Sequence, residues 1–129
     1  MHQIGKLGEQ FVAQYLENKG WTILHQRWRC RWGEIDLIAQ NKVNSPQTAF
    51  IEVKTRQQFN CDRDGLLAIT LQKQHKIWQT ANAFLRDYPH LADLPCRFDV
   101  ALVIYTQINQ EYKFTLKEYL ESAWSDCWE

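Results

Sequence analysis

Two periods of apolar residues run along the chain, and they predict its helices and strands. Near the N-terminus and again after residue 70, apolar side chains recur every three or four positions, as on amphipathic helices. The first run between them, residues 21–32, is rich in tryptophan and includes Ile23, which is typical of a strand. The predicted elements, in chain order, are a helix over residues 3–19, strands over 21–32, 34–40 and 48–56, a helix over 70–88, a strand over 97–106, a weaker strand over 111–115 and a short helix over 116–125.

The breaks between these elements predict how they are connected. Gly33 and the turn over residues 41–47 are short, so the first three strands are expected to be antiparallel. Residues 57–65 are polar and are expected to form a loop. The helix over 70–88, which Pro89 ends, is long enough for a right-handed crossover to a parallel strand. The expected fold is therefore α/β, with a helix–three strands–helix–strand core and a mixed central sheet flanked by helices.

Composition and charge narrow the class of protein. The 129 residues suffice for one hydrophobic core, so the chain is predicted to be a single domain, 1–129. Lys+Arg and Asp+Glu both number 15, and the resulting zero net charge excludes a dominant polycationic grip on nucleic acid, although not a local basic patch. No apolar run approaches the ~20 residues of a membrane helix, and the N-terminus lacks the apolar core of a signal peptide. A cytoplasmic protein without membrane contact is expected.

The four cysteines and four histidines do not form a metal-binding pattern. No pair of cysteines has the CxxC spacing, and the histidines show no ligand spacing with them, which argues against zinc. Without an export signal, the thiols are expected to be reduced and packed.

Charged residues interrupt two apolar strands. Asp36 lies in the second strand, and Glu52 and Lys54 lie in the third, where residues two apart share one face. Charges on a half-buried face are costly unless something compensates them. Two other Glu-x-Lys triplets, at residues 17–19 and 111–113, lie at a helix end and in a polar edge segment, and they are interpreted as surface residues.

A hairpin centred on Asn44 would place Asp36 directly opposite Glu52, with their Cβ atoms about 4.5–5.5 Å apart. Two carboxylates repel by ~4 kcal/mol at 4 Å and an effective dielectric of 20. A divalent cation would remove this conflict, and oxygen ligands favour Mg²⁺ or Mn²⁺. Glu9, at the rim of the first helix's apolar face, would add a third carboxylate. With Lys54, the local charge of −2 then matches one divalent ion; the alternative is a structural ion-pair cluster.

Basic residues near these strands suggest a place for nucleic acid. Arg27, Arg29 and Arg31 alternate with tryptophan and cysteine, which would put three guanidinium groups on one strand face. They are expected to contact phosphates, which positions a nucleic acid without reading its sequence. Arg56 is expected to touch a phosphate too. The alternative is an exposed strand face over inward-packed tryptophans, with Arg56 an ordinary surface residue.

Two other conspicuous residues are interpreted as structural. Asp99 lies near the start of a strand and is expected to pair with Arg97 or with a helix end. Trp78 lies on the apolar stripe of the second helix, which favours a place in the core over stacking on a nucleobase.

Four segments, at residues 8–9, 33–39, 50–56 and 96–100, resemble the YraN family of bacterial proteins. The resemblance covers about residues 5–118, nearly the whole chain, and the core is expected over about residues 3–118. That family looks like the restriction-endonuclease-like superfamily, which includes archaeal Holliday-junction resolvases. The site of those proteins is a helix Glu, a strand Asp and a Glu-x-Lys. By resemblance, the corresponding residues here are Glu9, Asp36, Glu52 and Lys54.

The resemblance implies nucleic-acid binding and suggests a metal-dependent endonuclease that acts on structured or branched DNA in repair or recombination. Asp36 and Glu52 would hold Mg²⁺ or Mn²⁺ together with the Val53 carbonyl. Glu9 would bind the metal directly, through water, or through a second metal. Lys54 would orient the attacking water or stabilise the pentavalent phosphate.

The resemblance leaves other points open. Lys73 occupies a recurrent family lysine position and would contact the DNA backbone, or would belong to a solvated helix face. The family often has Asn where Arg27 stands, and the segment from residue 123 is unusually rich in Trp and Cys. The alternative functions are a non-catalytic nucleic-acid-binding module and a scaffold for a repair partner. A homodimer is attractive because cleavage of two strands needs two sites.

Overall fold

The computed structural model describes residues 2–43, 45–58 and 68–124. Its helices are α1 (His2–Asn18), α2 (Leu71–Asp87) and the short α3 (Pro89–Ala92), and its strands are β1 (Thr22–Cys30), β2 (Gly33–Asn41), β3 (Gln47–Gln57), β4 (Cys96–Ile108) and β5 (Glu111–Trp124). The predicted loop over 57–65 falls largely outside the described residues. None of the described helices combines the length and the apolar character that a membrane span requires.

The five strands form one sheet in chain order, β1-β2-β3-β4-β5. All neighbouring strands are antiparallel except β3 and β4, which are parallel and are joined through α2. The predicted mixed sheet and its parallel crossover are therefore confirmed. Thr70 caps the N-terminus of the crossover helix: its hydroxyl accepts a hydrogen bond from the Lys73 backbone N–H and so satisfies a donor that the first turn leaves unpaired.

The register of the β2–β3 hairpin also agrees with the prediction. Leu37 pairs with Ile51 and Asn41 pairs with Gln47, so the hairpin is symmetric about position 44. The paired register ends at Leu37 and Ile51, and its extension by one step would place Asp36 opposite Glu52. A hydrogen bond between the two carboxyl groups places them together.

Helices cover both faces of the sheet. On one face, Val12 and Leu16 of α1 pack against a buried cluster that includes Leu37 and Ile51. On the other face, Phe84 of α2 and its neighbours cover a second cluster, whose sheet members are Ile35, Ile38, Phe50 and Phe98. Burying one such side chain contributes about 1.5–3 kcal/mol, so these two layers fix how α1 and α2 approach the strands. Trp78 packs against the second cluster, as predicted.

The prediction of a short helix over 116–125 is wrong. β5 continues as a strand to Trp124, the last residue that the structure describes, and pairs with β4. The register between the two strands shifts near Leu102 and Val103, and Ser122 has a positive φ of 50°. Such irregularities interrupt the two-residue alternation of a strand, so the sequence pattern over this segment no longer has a strand period.

Of the four cysteines, Cys30 and Cys96 lie among the described residues, where both are of intermediate burial and neither forms a disulfide with another described residue. Their reduced state stays a prediction. Cys61 and Cys127 lie outside the described residues.

Candidate functional site

The candidate site forms where the β2–β3 ladder ends. The Val53 backbone N–H would face residue 35 if the ladder continued in register, but it donates instead to Asp36 Oδ2, at 2.8 Å. Asp36 therefore takes the place of a main-chain acceptor at the point where the two strands separate. Glu52, beside it, points to the side of α2, because its Oε2 lies 3.8 Å from Lys73 Nζ.

Burial makes this carboxyl pair reluctant to ionise. Desolvation, followed by the charge of Glu52, raises the pKa of Asp36 to about 8, against the smaller lowering effect of the Val53 hydrogen bond. Desolvation also raises the pKa of Glu52, while Lys73, Lys54 and a hydrogen bond with the Asp36 carboxyl group oppose the rise. Asp36 and Glu52 are neighbours and both have raised pKa values, so the protein does not fully compensate the negative charge that they would carry when ionised.

The two lysines of the site have different partners. Lys73, in the first turn of α2, pairs with Glu52 as described. Lys54 Nζ donates to the Ala68 carbonyl at 2.7 Å, which ties β3 to the segment before α2. Burial and then the charge of Arg56 lower the pKa of Lys54 below its ordinary value. Lys54 thus lies on the same strand face as Glu52, but its ammonium group bonds to the Ala68 carbonyl and does not form an ion pair with Glu52.

Glu9 lies close to the pair but is held apart from it. Glu9 as a residue is only 7% exposed, and its carboxylate accepts a hydrogen bond from Arg27 Nε at 2.7 Å. That bond raises the pKa of Arg27 above its ordinary value, so the guanidinium stays charged. The charge of Glu9 contributes to the raised pKa of both Asp36 and Glu52, which shows that it lies within electrostatic reach.

The structure therefore brings together Asp36, Glu52 and Lys54, and leaves Glu9 paired with Arg27. Within residues 2–43, 45–58 and 68–124, no group of three or more His, Cys, Asp or Glu side chains is arranged to hold a metal ion. Asp36 and Glu52 are the neighbouring acids of this site that could offer oxygen atoms to a cation.

A glycine sets the distance between α1 and this part of the sheet. A Cβ atom on Gly8 would overlap the Thr55 hydroxyl of β3. The absence of a side chain at Gly8 allows the helix backbone to approach the strand directly, which carries the next residue, Glu9, towards the sheet.

The three arginines of the predicted phosphate face have separate partners. Arg27 bonds to Glu9 on α1, while Arg29 Nη2 lies 2.6 Å from Glu34 Oε2 across the β1–β2 pair. Arg31 lies in the turn after β1, with its guanidinium carbon 4.4 Å from the centre of the Trp32 ring. The idea of one continuous row of guanidinium groups on the strand is therefore wrong, although phosphate contact by each residue stays a prediction. Arg56 is exposed and donates to the neighbouring Thr55 carbonyl.

Sequence reasoning missed two contacts of the site. The Arg27–Glu9 pair depends on a positive φ of 54° at Arg27, which no pattern of residue types indicates. The Lys73–Glu52 pair depends on where α2 crosses the sheet. The position of Lys73 on a polar face of α2 is the sequence feature that points to this contact. From sequence alone, that face is expected to contact the DNA backbone or solvent.

Asp99 forms a separate buried cluster on the side of α1. Its Oδ2 accepts hydrogen bonds from Arg97 Nε at 3.1 Å and from the Tyr119 hydroxyl at 2.7 Å, and its Oδ1 accepts from the Ser122 backbone N–H at 3.0 Å. The predicted pairing of Asp99 with Arg97 is confirmed. Arg97 also pairs with Glu121, at 3.3 Å. In this cluster the buried Asp99 carboxylate is matched by the Arg97 guanidinium and by two further hydrogen-bond donors.

These features define the class of the protein. A mixed five-stranded sheet between helices, with a carboxyl pair where two antiparallel strands separate, is an α/β arrangement compatible with a restriction-endonuclease-like core. The model of the uncharacterised protein family UPF0102 matches residues 8–103, and the chain belongs to this family, which is the YraN family that its motifs resemble.

Relatives of this family match nearly the whole chain. A UPF0102 protein of Nostoc sp. strain PCC 7120 is 53% identical over 96% of this chain and 94% of the relative. A UPF0102 protein of Synechocystis sp. strain PCC 6803 is 50% identical over 88% of this chain and 79% of the relative. A UPF0102 protein of Synechococcus sp. strain JA-3-3Ab is 46% identical over 100% of this chain and 95% of the relative.

Proposed function

We propose that the chain is a metal-dependent nuclease that hydrolyses phosphodiester bonds in structured or branched DNA. The observation that carries this proposal is the half-buried Asp36–Glu52 pair, in which both carboxyl groups have raised pKa values and lysines lie at hand. A stable structural pair would match each carboxylate with a cation or several donors. This one is matched incompletely by the protein itself.

The donor set fits Mg²⁺ or Mn²⁺. Its side-chain ligands, Asp36 and Glu52, offer oxygen atoms alone, and hard divalent cations prefer such ligands. The carbonyl of Val53, the residue after Glu52, is a further ligand by resemblance. A bound divalent ion would lower the pKa of a water molecule and offset charge on the phosphate.

The protein residues would orient the substrate and the water. Lys54 lies on the same strand face as Glu52, where its ammonium group would hold the water or a phosphate oxygen. Lys73, now 3.8 Å from Glu52, would exchange part of this ion pair for a phosphate when DNA binds. Arg29, Arg31 and Arg56, near the same part of the sheet, would contact the DNA backbone and position it without reading sequence.

Calorimetric titration with Mn²⁺ tests the metal site. Wild type is expected to bind Mn²⁺, and Asp36→Asn is expected to bind it about 100-fold more weakly or worse, since even partners of a metal ligand are worth 10–100-fold. Asp87→Asn, which removes an exposed carboxylate at the end of α2, is the matched control and should bind as wild type does. No heat of binding for wild type at millimolar Mn²⁺ would contradict the proposal.

Cleavage assays then test the reaction. Wild type with Mg²⁺ is expected to cut labelled four-way junctions or flapped duplexes, and Asp36→Asn is expected to bind the same DNA without cutting it. Binding without cleavage by wild type would favour the second candidate, a non-catalytic nucleic-acid-binding module. The pairing of Glu9 with Arg27 favours that candidate, because it leaves the site with two carboxylates instead of three. A cytoplasmic location and a homodimer stay predictions, as does a scaffold role for the C-terminal segment, which lies mainly outside the described residues.

A further inference from the structure

We infer that this site takes a single divalent ion per chain, because Arg27 holds Glu9 in an ion pair and so removes the carboxylate that a second ion would need. The inference rests on the proposed function, since it concerns the metal stoichiometry of the same site. It assigns to Arg27 a positioning role towards Glu9.

The first support is the geometry of the pair. Arg27 Nε and Glu9 Oε1 are 2.7 Å apart, the separation of a strong charge-assisted hydrogen bond. The Glu9 side chain is 9% exposed and that of Arg27 is 34% exposed. A carboxylate so far removed from water needs a charged partner, and the guanidinium supplies it. Glu9 is therefore committed to Arg27.

The second support is the backbone of Arg27. In β1, Gln26 pairs with Leu37 and Trp28 pairs with Ile35, so Arg27 lies opposite Asp36 itself. Its φ of 54° lies in the left-handed region, which a long side chain adopts only when its surroundings compensate the strain. This backbone turns the Arg27 side chain to Glu9 on α1. Arg27, which lies opposite Asp36 in the sheet, thereby neutralises the Glu9 carboxylate.

The third support is the charge that remains. With Glu9 matched by Arg27, the carboxylates left for an ion are Asp36 and Glu52, and Lys73 lies 3.8 Å from Glu52. Two-metal sites hold their ions about 3.5–4 Å apart, which needs more negative charge than one such pair offers. The described residues contain no third His, Cys, Asp or Glu side chain arranged with them. Two carboxylates beside two lysines leave negative charge for at most one divalent ion.

The test is a Mn²⁺ titration without DNA, in which electron paramagnetic resonance measures the concentration of the free ion. Wild type is expected to bind one ion per chain. Arg27→Asn, which frees Glu9 and places at position 27 a residue that tolerates a positive φ, is expected to bind two. The double variant R27N/E9Q is expected to return to one, because the freed carboxylate is gone.

The matched control is Arg29→Asn. It removes a guanidinium two residues along the same strand from its own ion pair with Glu34, and it is expected to bind one ion with wild-type affinity. Circular dichroism of each variant checks that it is folded. If Arg27→Asn does not fold, Glu9→Gln gives a second reading, with one ion bound and an affinity within about threefold of wild type if Glu9 is not a ligand.

The outcomes separate this inference from the proposed function. Two ions bound by wild type, one ion bound by a folded Arg27→Asn, or a loss beyond tenfold in Glu9→Gln would overturn the inference while leaving the metal site in place. No Mn²⁺ bound by wild type or any variant would overturn both. One ion for wild type, two for Arg27→Asn and one for the double variant would support it.

Discussion

Asp36 and Asp99 are both largely buried in neighbouring parts of one sheet, but they differ in how far hydrogen bonds and charges compensate their carboxyl groups. Asp99 is fully buried and accepts hydrogen bonds from Arg97, Tyr119 and the Ser122 backbone. Asp36 accepts one main-chain hydrogen bond, from Val53, and has a second acid beside it. The difference shows that burial alone does not distinguish the two acids. Asp36, the candidate functional acid, combines burial with incomplete compensation by the protein itself.

The comparison predicts its largest effect at Asp99. Asp99→Asn removes the charge that Arg97 and Tyr119 contact, and its amide group would direct donors at donors. Breaking a buried ion pair in this way destabilises a protein by about 3–5 kcal/mol. Urea unfolding at pH 8 in the presence of EDTA measures the loss. A change below about 1 kcal/mol, the net worth of an ordinary hydrogen bond, would show that the Asp99 network does not hold the sheet together.

The same substitution at Asp36 is expected to have the opposite sign. The amide oxygen that Asp36→Asn introduces can still accept the Val53 N–H, but the variant lacks an acid whose ionisation the folded protein opposes. Each unit of pKa difference between folded and unfolded states is worth about 1.36 kcal/mol. Because the pKa of Asp36 rises to about 8 in the folded state, we expect Asp36→Asn to stabilise the metal-free protein at pH 8 by an amount on the order of a few kcal/mol. Unfolding of the two variants side by side is the direct comparison, and destabilisation by both would erase the distinction.

The pH dependence of stability sharpens the contrast. Because the pKa of Asp36 is raised to about 8, the folded protein keeps a proton that the unfolded chain releases near pH 4. The folded state thus binds more protons between these values, and the free energy of unfolding falls as the pH rises through this window. We expect Asp36 to account for about 2 kcal/mol of loss between about pH 5.5 and 7.5. Subtracting the profile of Asp36→Asn from that of wild type, both in EDTA, isolates this contribution; a flat difference would contradict it.

The smallest effect is expected for Tyr119→Phe. This variant keeps the ring in place but removes one of the donors to Asp99. Burial and the neighbouring Asp99 raise the pKa of Tyr119, so the hydroxyl stays protonated and able to donate. Loss of a hydrogen bond to a charged group costs about 1.5 kcal/mol at the lower end of its range. Thermal unfolding should place this variant between wild type and Asp99→Asn, and Mn²⁺ affinity should not change.

The sequence predicted the local parts of both regions and missed the contacts that depend on backbone irregularities. The register that brings Asp36 to Glu52 followed from a symmetric hairpin, and the Asp99–Arg97 pair followed from two residues on one strand face. Tyr119 was missed as a partner of Asp99 because its segment was predicted to be a helix.

Two irregularities account for what was missed. The shifted register near Leu102 and Val103 hides the strand period of β5, and the positive φ of Arg27 sends its side chain to Glu9. Such dihedral angles arise from the packed whole, so the spacing of residue types along the chain does not reveal them.

The parallel pairing of β3 with β4 has a consequence for the order in which the two acids acquire their surroundings. β1, β2 and β3 are joined by short turns, whereas Thr48 pairs with Cys96, 48 positions further along the chain. Closing that long loop costs entropy before any contact rewards it, so β4 is expected to dock late in folding. Asp36 and Glu52 would then meet in an early meander, and Asp99 would find its partners only after the rate-limiting step. Substitutions at Asp99 should therefore speed unfolding far more than they slow folding.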